Sequence, residues 1–131
     1  MKLVQQDYAQ HAYESITQAR DKSYGQQYGR LCHAFPSMVL QNGLLLSVAF
    51  FKAKSKTKQD VYTQFLIDIG ITIGKADFHE IILKNEIGTS VEYLRISKEI
   101  LAASVWFKRY AEAILKVSAS AASDLGGGGD K

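Results

Sequence analysis

The segment GITIGKA at residues 70–76 is the part of the chain that comes nearest to a phosphate-binding loop. Such a loop needs a longer spacing between its glycines, and a Ser or Thr after its lysine to ligate magnesium. Here three residues separate Gly70 from Gly74, and Ala76 follows Lys75. A helix that ends near Gly74 explains the same residues, and we predict that ending rather than a nucleotide site.

Side chains that could hold a metal ion or act as a nucleophile are scattered along the sequence. Cys32 and His33 are adjacent, so on a helix they diverge by roughly 100° and do not readily share a metal. His79 and Glu80 lack the second histidine of a zinc-binding helix, and no serine lies in a nucleophile elbow. Most acidic residues begin helices or alternate with basic ones. We therefore predict no enzyme, no catalytic residue, no metal site and no cofactor.

Four cations of one predicted helix project to the same side. They are Arg95, Lys98, Arg109 and Lys116, here called the basic stripe. At about 100° per residue they fall within a sector of roughly 60°, and Trp106 lies on the same sector. Basic side chains in a row with an aromatic ring suit a nucleic-acid backbone. The alternative is a solvated face neutralised by Glu92 and Glu99, with Trp106 in the core or a protein interface.

A second basic group, the lysine cluster, consists of Lys52, Lys54, Lys56 and Lys58. Cations at the end of a helix are favoured by its dipole, which explains the first two lysines but not all four. Together with the basic stripe, the lysine cluster favours a polyanionic partner. The net charge of +3 permits such a partner without requiring it.

The composition indicates one small domain without a membrane segment. The chain has 131 residues, the size of a single core, and its longest apolar run, residues 44–51, is far short of the ~20 residues that a membrane span needs. The first residues lack the apolar region of a secretory signal. A lone Cys32 cannot form an internal disulfide, so we expect a cytoplasmic protein.

Apolar periodicity predicts a first helix over residues 2–22, an irregular connection over 23–30 and a short helical piece over 31–35. Pro36 is predicted in the first turn of an apolar helix over 36–54. Within that helix we interpret Gly43 as a close-packing contact rather than a turn.

Three pairs of residues have the spacing of helix-capping boxes. They are Thr57 with Asp60, Asp77 with Glu80, and Thr89 with Glu92. They predict a helix ending near Gly74, a short helix over 78–86 and a long helix over 90–122. The β-branched segment 69–73 is the strongest competing candidate for a strand.

These elements predict an all-α protein, a single compact bundle of about five or six helices. The bundle is assigned to residues 1–122. Residues 123–131 contain four consecutive glycines and are predicted to be a flexible tail.

Five segments of the sequence, spread over about residues 8–116, resemble a known family in their order and content. They are YGRLCHAFP at 28–36, QNGL at 41–44, SVAFFKAK at 47–54, YLRISKEIL at 93–101 and WFKRYAEA at 106–113. Together they resemble the small helical subunit of Cmr complexes, the fifth protein of the type III-B CRISPR effector set. The resemblance implies a compact helical bundle without nuclease activity. It also implies stacking with further copies of itself and with the repeating backbone subunit, along the groove that holds guide RNA and target RNA.

The predicted function is therefore a non-catalytic subunit of a CRISPR ribonucleoprotein that stabilises the guide–target duplex. The resemblance points to Lys54, Arg95, Lys108 and Arg109 as basic positions of the family type. Lys108 departs from the basic stripe by roughly 140° and could instead serve a subunit contact. The full predicted RNA-binding set is Lys52, Lys54, Arg95, Lys98, Lys108, Arg109 and Lys116. The alternative function is a stand-alone helical protein–protein adaptor with no nucleic-acid role.

Overall fold

A computed structural model of the chain describes residues 4–57, 60–85 and 88–120. Within these ranges the structure has six α-helices, one π-helical turn and no strand. The helices are α1 Val4–Arg20, α2 Gly25–Asn42, α3 Leu44–Lys54, α4 Val61–Thr72, α5 Phe78–Leu83 and α6 Ser90–Tyr110, and the π turn is Ala111–Leu115. The prediction of an all-helical bundle is confirmed. The predicted tail at 123–131 lies outside the described residues.

Helix α4 occupies the centre of the bundle and packs against each of the other five α-helices. Its Phe65 is fully buried. Rings from α2, α3 and α6 surround it, with centroid separations from Phe65 of 5.7 Å to Tyr28, 5.5 Å to Phe35, 5.9 Å to Phe51 and 5.9 Å to Phe107. This aromatic cluster joins four of the six helices.

The competing strand at 69–73 is excluded, because α4 continues through this segment to Thr72. Ile69 is buried in the core, so tertiary packing outweighs its β propensity. A Cβ at Gly70 would lie 2.6 Å from the carbonyl oxygen of Lys75, so glycine permits the close approach of the following turn. Gly74 then adopts a φ of +82°, which confirms the predicted end of the helix near this residue.

Residues 31–35 are helical as predicted, but the irregular connection over 23–30 and the helix start at Pro36 are wrong, because α2 begins at Gly25 and holds Pro36 well inside it. A Cβ at Gly25 would lie 2.9 Å from the carbonyl oxygen of Ala19, so glycine lets α2 start tightly against the end of α1. Helical structure in this segment buries Tyr28 against the aromatic cluster. The gain from burial outweighs the weak helix propensity of the glycines and tyrosines.

The prediction of one continuous helix over 36–54 is also wrong, since α2 and α3 are separated by a turn at Gly43. Gly43 has a φ of +87°, a backbone conformation that residues with a Cβ rarely adopt. The Gly43 amide donates to the carbonyl of Val39, and the Ser47 hydroxyl donates to the Gly43 carbonyl. The first bond closes the last turn of α2, and the second adds a side-chain donor to a carbonyl that also accepts from the Ser47 amide.

The three predicted helix starts are found at the expected places, but their caps differ. Asp60, rather than Thr57, caps α4 and accepts from the amide three residues later. Asp77 precedes α5 without a side-chain capping bond. The Thr89 hydroxyl accepts from the Glu92 amide as predicted. Because the Glu92 carboxylate binds an arginine instead of returning to the Thr89 amide, the capping box is half formed.

The last long helix is shorter than the predicted 90–122, because α6 changes to the π turn after Tyr110. Lys116 then takes a left-handed conformation, with φ 60° and ψ 38°. A left-handed residue after the last turn is a common way for a helix to end.

Contacts distant in sequence hold the chain where it leaves the π turn. Val117 packs so closely on α2 that a Cβ at Gly29 would lie 2.6 Å from its Cγ2 atom. The His33 ring nitrogen Nε2 lies 2.9 Å from the Val117 carbonyl oxygen, which accepts, and Gln26 donates to the Leu115 carbonyl. These contacts explain why α6 cannot continue straight.

Candidate nucleic-acid interface

Helix α6 packs one side on α1 and α2 and turns the other side outward. Its buried residues recur mostly at spacings of three and four, as on one face of a helix, and are Ile96, Ile100, Ala103, Ser104 and Phe107. All four members of the basic stripe are exposed. Arg95 and Arg109 lie 14 residues apart on this helix, or roughly 21 Å along its axis.

Arg95 is engaged by carboxylates of its own helix. Its Nη2 donates to both oxygens of Glu92, at 2.7 and 2.6 Å, and its Nη1 lies 3.8 Å from Glu99. The bond from Arg95 lowers the pKa of the Glu92 carboxyl, and the same bond raises the pKa of Arg95. Lys75 lies 4.0 Å from Glu92 and adds a second cation there. Arg95 can therefore bind a phosphate only if it gives up one of these carboxylate partners.

Arg109 lies over an aromatic ring. Its guanidinium carbon is 5.1 Å from the centroid of the Trp106 ring, a cation–π contact. The Trp106 Nε1 donates to the side-chain oxygen of Gln5 on α1 at 2.7 Å. Trp106 is half-buried, so it belongs neither wholly to the core nor wholly to the surface. Sequence reasoning missed Gln5, and its distance of 101 residues from Trp106 offers no local signal.

The other predicted cations of this region differ in burial and in backbone conformation. Lys108 is half-buried, unlike Lys98, which is exposed. Lys116 is exposed, but it follows the π turn in a left-handed conformation. Its projection from 100° steps is therefore wrong, because a π turn advances by a different angle per residue.

The lysine cluster lies at the end of α3 and in the loop after it. Lys52 and Lys54 occupy the last helical turn, and the Lys54 amine lies 5.5 Å from the Phe50 ring centroid. Lys56 is exposed, and Lys58 lies outside the described residues. The start of α3 meets α6 through the Leu45 amide and the Tyr93 hydroxyl, at the opposite end from the cluster. The lysine cluster and the contact with Tyr93 therefore lie at opposite ends of α3.

Asp60 holds the lysine-bearing loop in place. Its carboxylate accepts from the Lys56 amide at 2.6 Å, from the Ser55 hydroxyl at 3.0 Å and from the Thr63 amide at 3.2 Å. Partial burial raises the pKa of this carboxyl, but the donated hydrogen bonds outweigh burial and the pKa is lowered. An ionised Asp60 thus fixes the backbone beside Lys56.

The half-buried carboxylate of Asp68 is engaged by internal hydrogen bonds. It accepts from the Tyr28 hydroxyl at 2.6 Å and from the Gln64 side-chain Nε2 at 2.8 Å, beside a cavity between α1, α2 and α4. Burial raises the pKa of Asp68 in spite of these bonds. The bonds join α2 to α4.

His79 of α5 is buried near the lysine cluster, and its Nδ1 atom has no hydrogen-bond partner among the residues that the structure describes. Burial, and after it the positive charge of Lys52, lower the pKa of the imidazole below its ordinary value of 6.5. The folded chain therefore binds this proton only at a lower pH than the unfolded chain does.

We expect the free energy of unfolding to fall as the pH drops below about 6.5, since the unfolded chain then binds a proton that the folded chain resists. The loss continues until the pH reaches the lowered pKa of folded His79. His79→Gln is expected to flatten this acid-side slope, and Lys52→Met to make it shallower without removing it. Urea unfolding at about pH 7.5 and about pH 5.5 measures the effect. A His79→Gln protein with the wild-type slope would contradict it.

Neither a metal-binding group nor a membrane-spanning helix is found among the residues that the structure describes. Over residues 4–57, 60–85 and 88–120, no three His, Cys, Asp or Glu side chains form a group that could hold a metal ion. In the same ranges, no helix is both long enough and apolar enough to cross a membrane.

Comparisons with known proteins agree on one family. Residues 4–114 match the family model described as CRISPR-associated protein (Cas_Cmr5). The chain is 29% identical over 116 residues to the CRISPR system Cmr subunit Cmr5 of Thermus thermophilus, and the match covers 88% of this chain and 99% of that protein. It is also similar to the crystal structure of a CRISPR-associated Cmr5 family protein from the same organism. That similarity has a TM-score of 0.77 and 30% identity, and it covers 88% of this chain and 99% of the other.

Proposed function

The chain belongs to the Cas_Cmr5 family of CRISPR-associated proteins, and we propose that it is a non-catalytic subunit of a type III-B CRISPR Cmr ribonucleoprotein. Its partners in this proposal are the repeating backbone subunit, further copies of itself, guide RNA and target RNA. The match of the family model to residues 4–114, nearly the whole described bundle, is the observation that carries the assignment.

Within that complex, we propose that the outward side of α6 stabilises bound RNA. Lys98 and Arg109 are exposed there, and Arg109 is backed by an indole ring. Lys116 is exposed beyond the π turn that follows α6. Such cations offset phosphate charge without reading bases, because guide pairing carries the sequence information. Arg95 contributes less in its present state, since Glu92 and Glu99 already balance its charge.

The experiment that tests this function is target-RNA binding by Cmr complexes assembled with and without the chain. We expect the complex that lacks it to bind RNA more weakly and with a shallower dependence on salt, because fewer phosphates are neutralised. Filter binding at two salt concentrations measures both quantities. Equal affinity and equal salt dependence would leave the chain without a role in RNA stabilisation.

A second candidate function, a protein–protein adaptor, is favoured by one observation. Exposed apolar side chains flank Gly43 and Tyr93 in sequence, where the α2–α3 turn meets the start of α6. Their exposed fractions are 73% for Leu40, 62% for Leu46, 74% for Val91 and 59% for Leu94. Large exposed apolar side chains of this kind suit a protein interface. If Leu46→Ser with Leu94→Ser abolishes co-purification of Cmr subunits, while complexes with and without the chain bind RNA equally, the adaptor function is supported instead.

A further inference from the structure

Three aromatic rings form a continuous row at the surface between α1 and the end of α6. Tyr13 meets Tyr110 edge to face at a centroid separation of 5.6 Å, and Tyr110 lies 6.3 Å from Trp106 with an angle of 31° between the rings. We call Tyr13, Tyr110 and Trp106 the aromatic ladder. Tyr13 is 51% exposed and the other two rings are half-buried. Solvent therefore reaches part of each ring.

The ladder is held in place before any ligand arrives. The hydrogen bond from the Trp106 Nε1 to Gln5 fixes the orientation of the indole, and Arg109 lies against one ring face. Ordered rings lose little conformational freedom on binding, which favours their use as a contact surface. The guanidinium plane of Arg109 adds a second kind of flat, positively charged surface.

We propose that the aromatic ladder, with Arg109, is a stacking platform for unpaired bases of single-stranded RNA. It rests on the proposed function, because RNA must reach the outward side of α6. Every base has a π face, so rings can stack on it without sequence preference. An arginine plane can stack on a base in the same way.

The surroundings of the ladder favour RNA over a protein partner. Arg109 contacts the ladder directly, and Lys98 is exposed earlier on the same helix. The exposed apolar residues Val91 and Leu94 instead lie at the beginning of α6, roughly 20 Å from Trp106 at 1.5 Å per residue. Arg109 offers a cation to a polyanion at the ladder, whereas the exposed apolar residues suit a protein partner at the other end of the helix.

Trp106 is the single tryptophan of the chain, so its fluorescence reports on the ladder alone. We expect an oligoadenylate to quench this fluorescence in the full chain at low salt. An abasic strand of equal length, with the same phosphates but no bases, should leave it unchanged. Equal effects of the two strands would overturn the stacking proposal.

A variant pair tests the same site in the assembled complex. Tyr13→Ala is expected to weaken target-RNA affinity roughly tenfold for a lost stacking contact, with the salt dependence unchanged. Tyr13→Phe keeps the ring and should bind like the wild type. Wild-type affinity of the Tyr13→Ala complex would overturn the platform, and the RNA-stabilising function would stand if omission of the chain still weakened binding. Failure of the Tyr13→Ala chain to enter the complex would assign the ladder to a protein contact and also overturn it.

Discussion

Replacing Phe65 by alanine is expected to lower the free energy of unfolding by about 3–5 kcal/mol. Phe65 is fully buried in the central helix α4, and its ring contacts aromatic rings from α2, α3 and α6. The substitution removes buried apolar surface and leaves a cavity that four helices would have to close together. A loss of this size approaches the whole stability of a typical small domain.

A matched control lies on the same helix. Ile71 is 46% exposed, so Ile71→Ala should change the free energy of unfolding by only about 0.5 kcal/mol. Urea unfolding followed by circular dichroism measures both variants under one condition. Equal losses for the two substitutions would show that the aromatic cluster is not the centre of stability.

Local signals in the sequence were enough to predict where α4, α5 and α6 begin. Asp60 and Thr89 accept capping bonds where the spacing of acids and hydroxyls predicted helix starts. The buried seam of α6 follows the apolar period. Such features depend on neighbours within one or two turns, so the sequence contains them in full.

The errors in the predicted fold arise where distant residues decide the local structure. Gly25 and Gly29 look like helix breakers in sequence, yet each permits a close approach, to the end of α1 and to Val117 respectively. Proline is favoured in the first turn of a helix, but Pro36 lies well inside α2. Gly43 looked like a packing contact, and its positive φ instead makes a turn. None of these outcomes follows from propensity alone, because each depends on the packed neighbours.

Contacts within one helix of the candidate site could be predicted from the sequence, whereas contacts between helices could not. The pairing of Arg95 with Glu92 is a neighbouring contact on one helix, and the sequence already allowed it as an alternative. The bond from Trp106 to Gln5 and the contact of Tyr110 with Tyr13 join α6 to α1, about which helical periodicity says nothing. Sequence analysis could therefore identify the cations but not the ordered rings beside them.

Replacing Lys98, Arg109 and Lys116 by alanine together is expected to remove most of the contribution that each copy makes to RNA affinity. If all three meet phosphates of a single strand, the log–log salt slope should become shallower by about 2 per copy, at ~0.7 per contact. A fourfold rise in salt would then weaken the wild-type contribution of each copy by roughly twentyfold, and the variant would lose this sensitivity. Stacked copies add their contacts along one strand, so the effect should be largest in the assembled complex.

Arg95→Ala is the control for this variant, because Arg95 has a similar exposure but two carboxylate partners within its own helix. We expect it to change the salt slope less than any one of the three other substitutions. The measurement is the target-RNA affinity of the wild-type and variant complexes at two salt concentrations. If the triple variant keeps both wild-type affinity and wild-type slope, these cations form a solvated face or a protein contact. The chain would then stabilise the complex through contacts with other subunits, and we would expect the exposed leucines beside the α2–α3 turn to make those contacts.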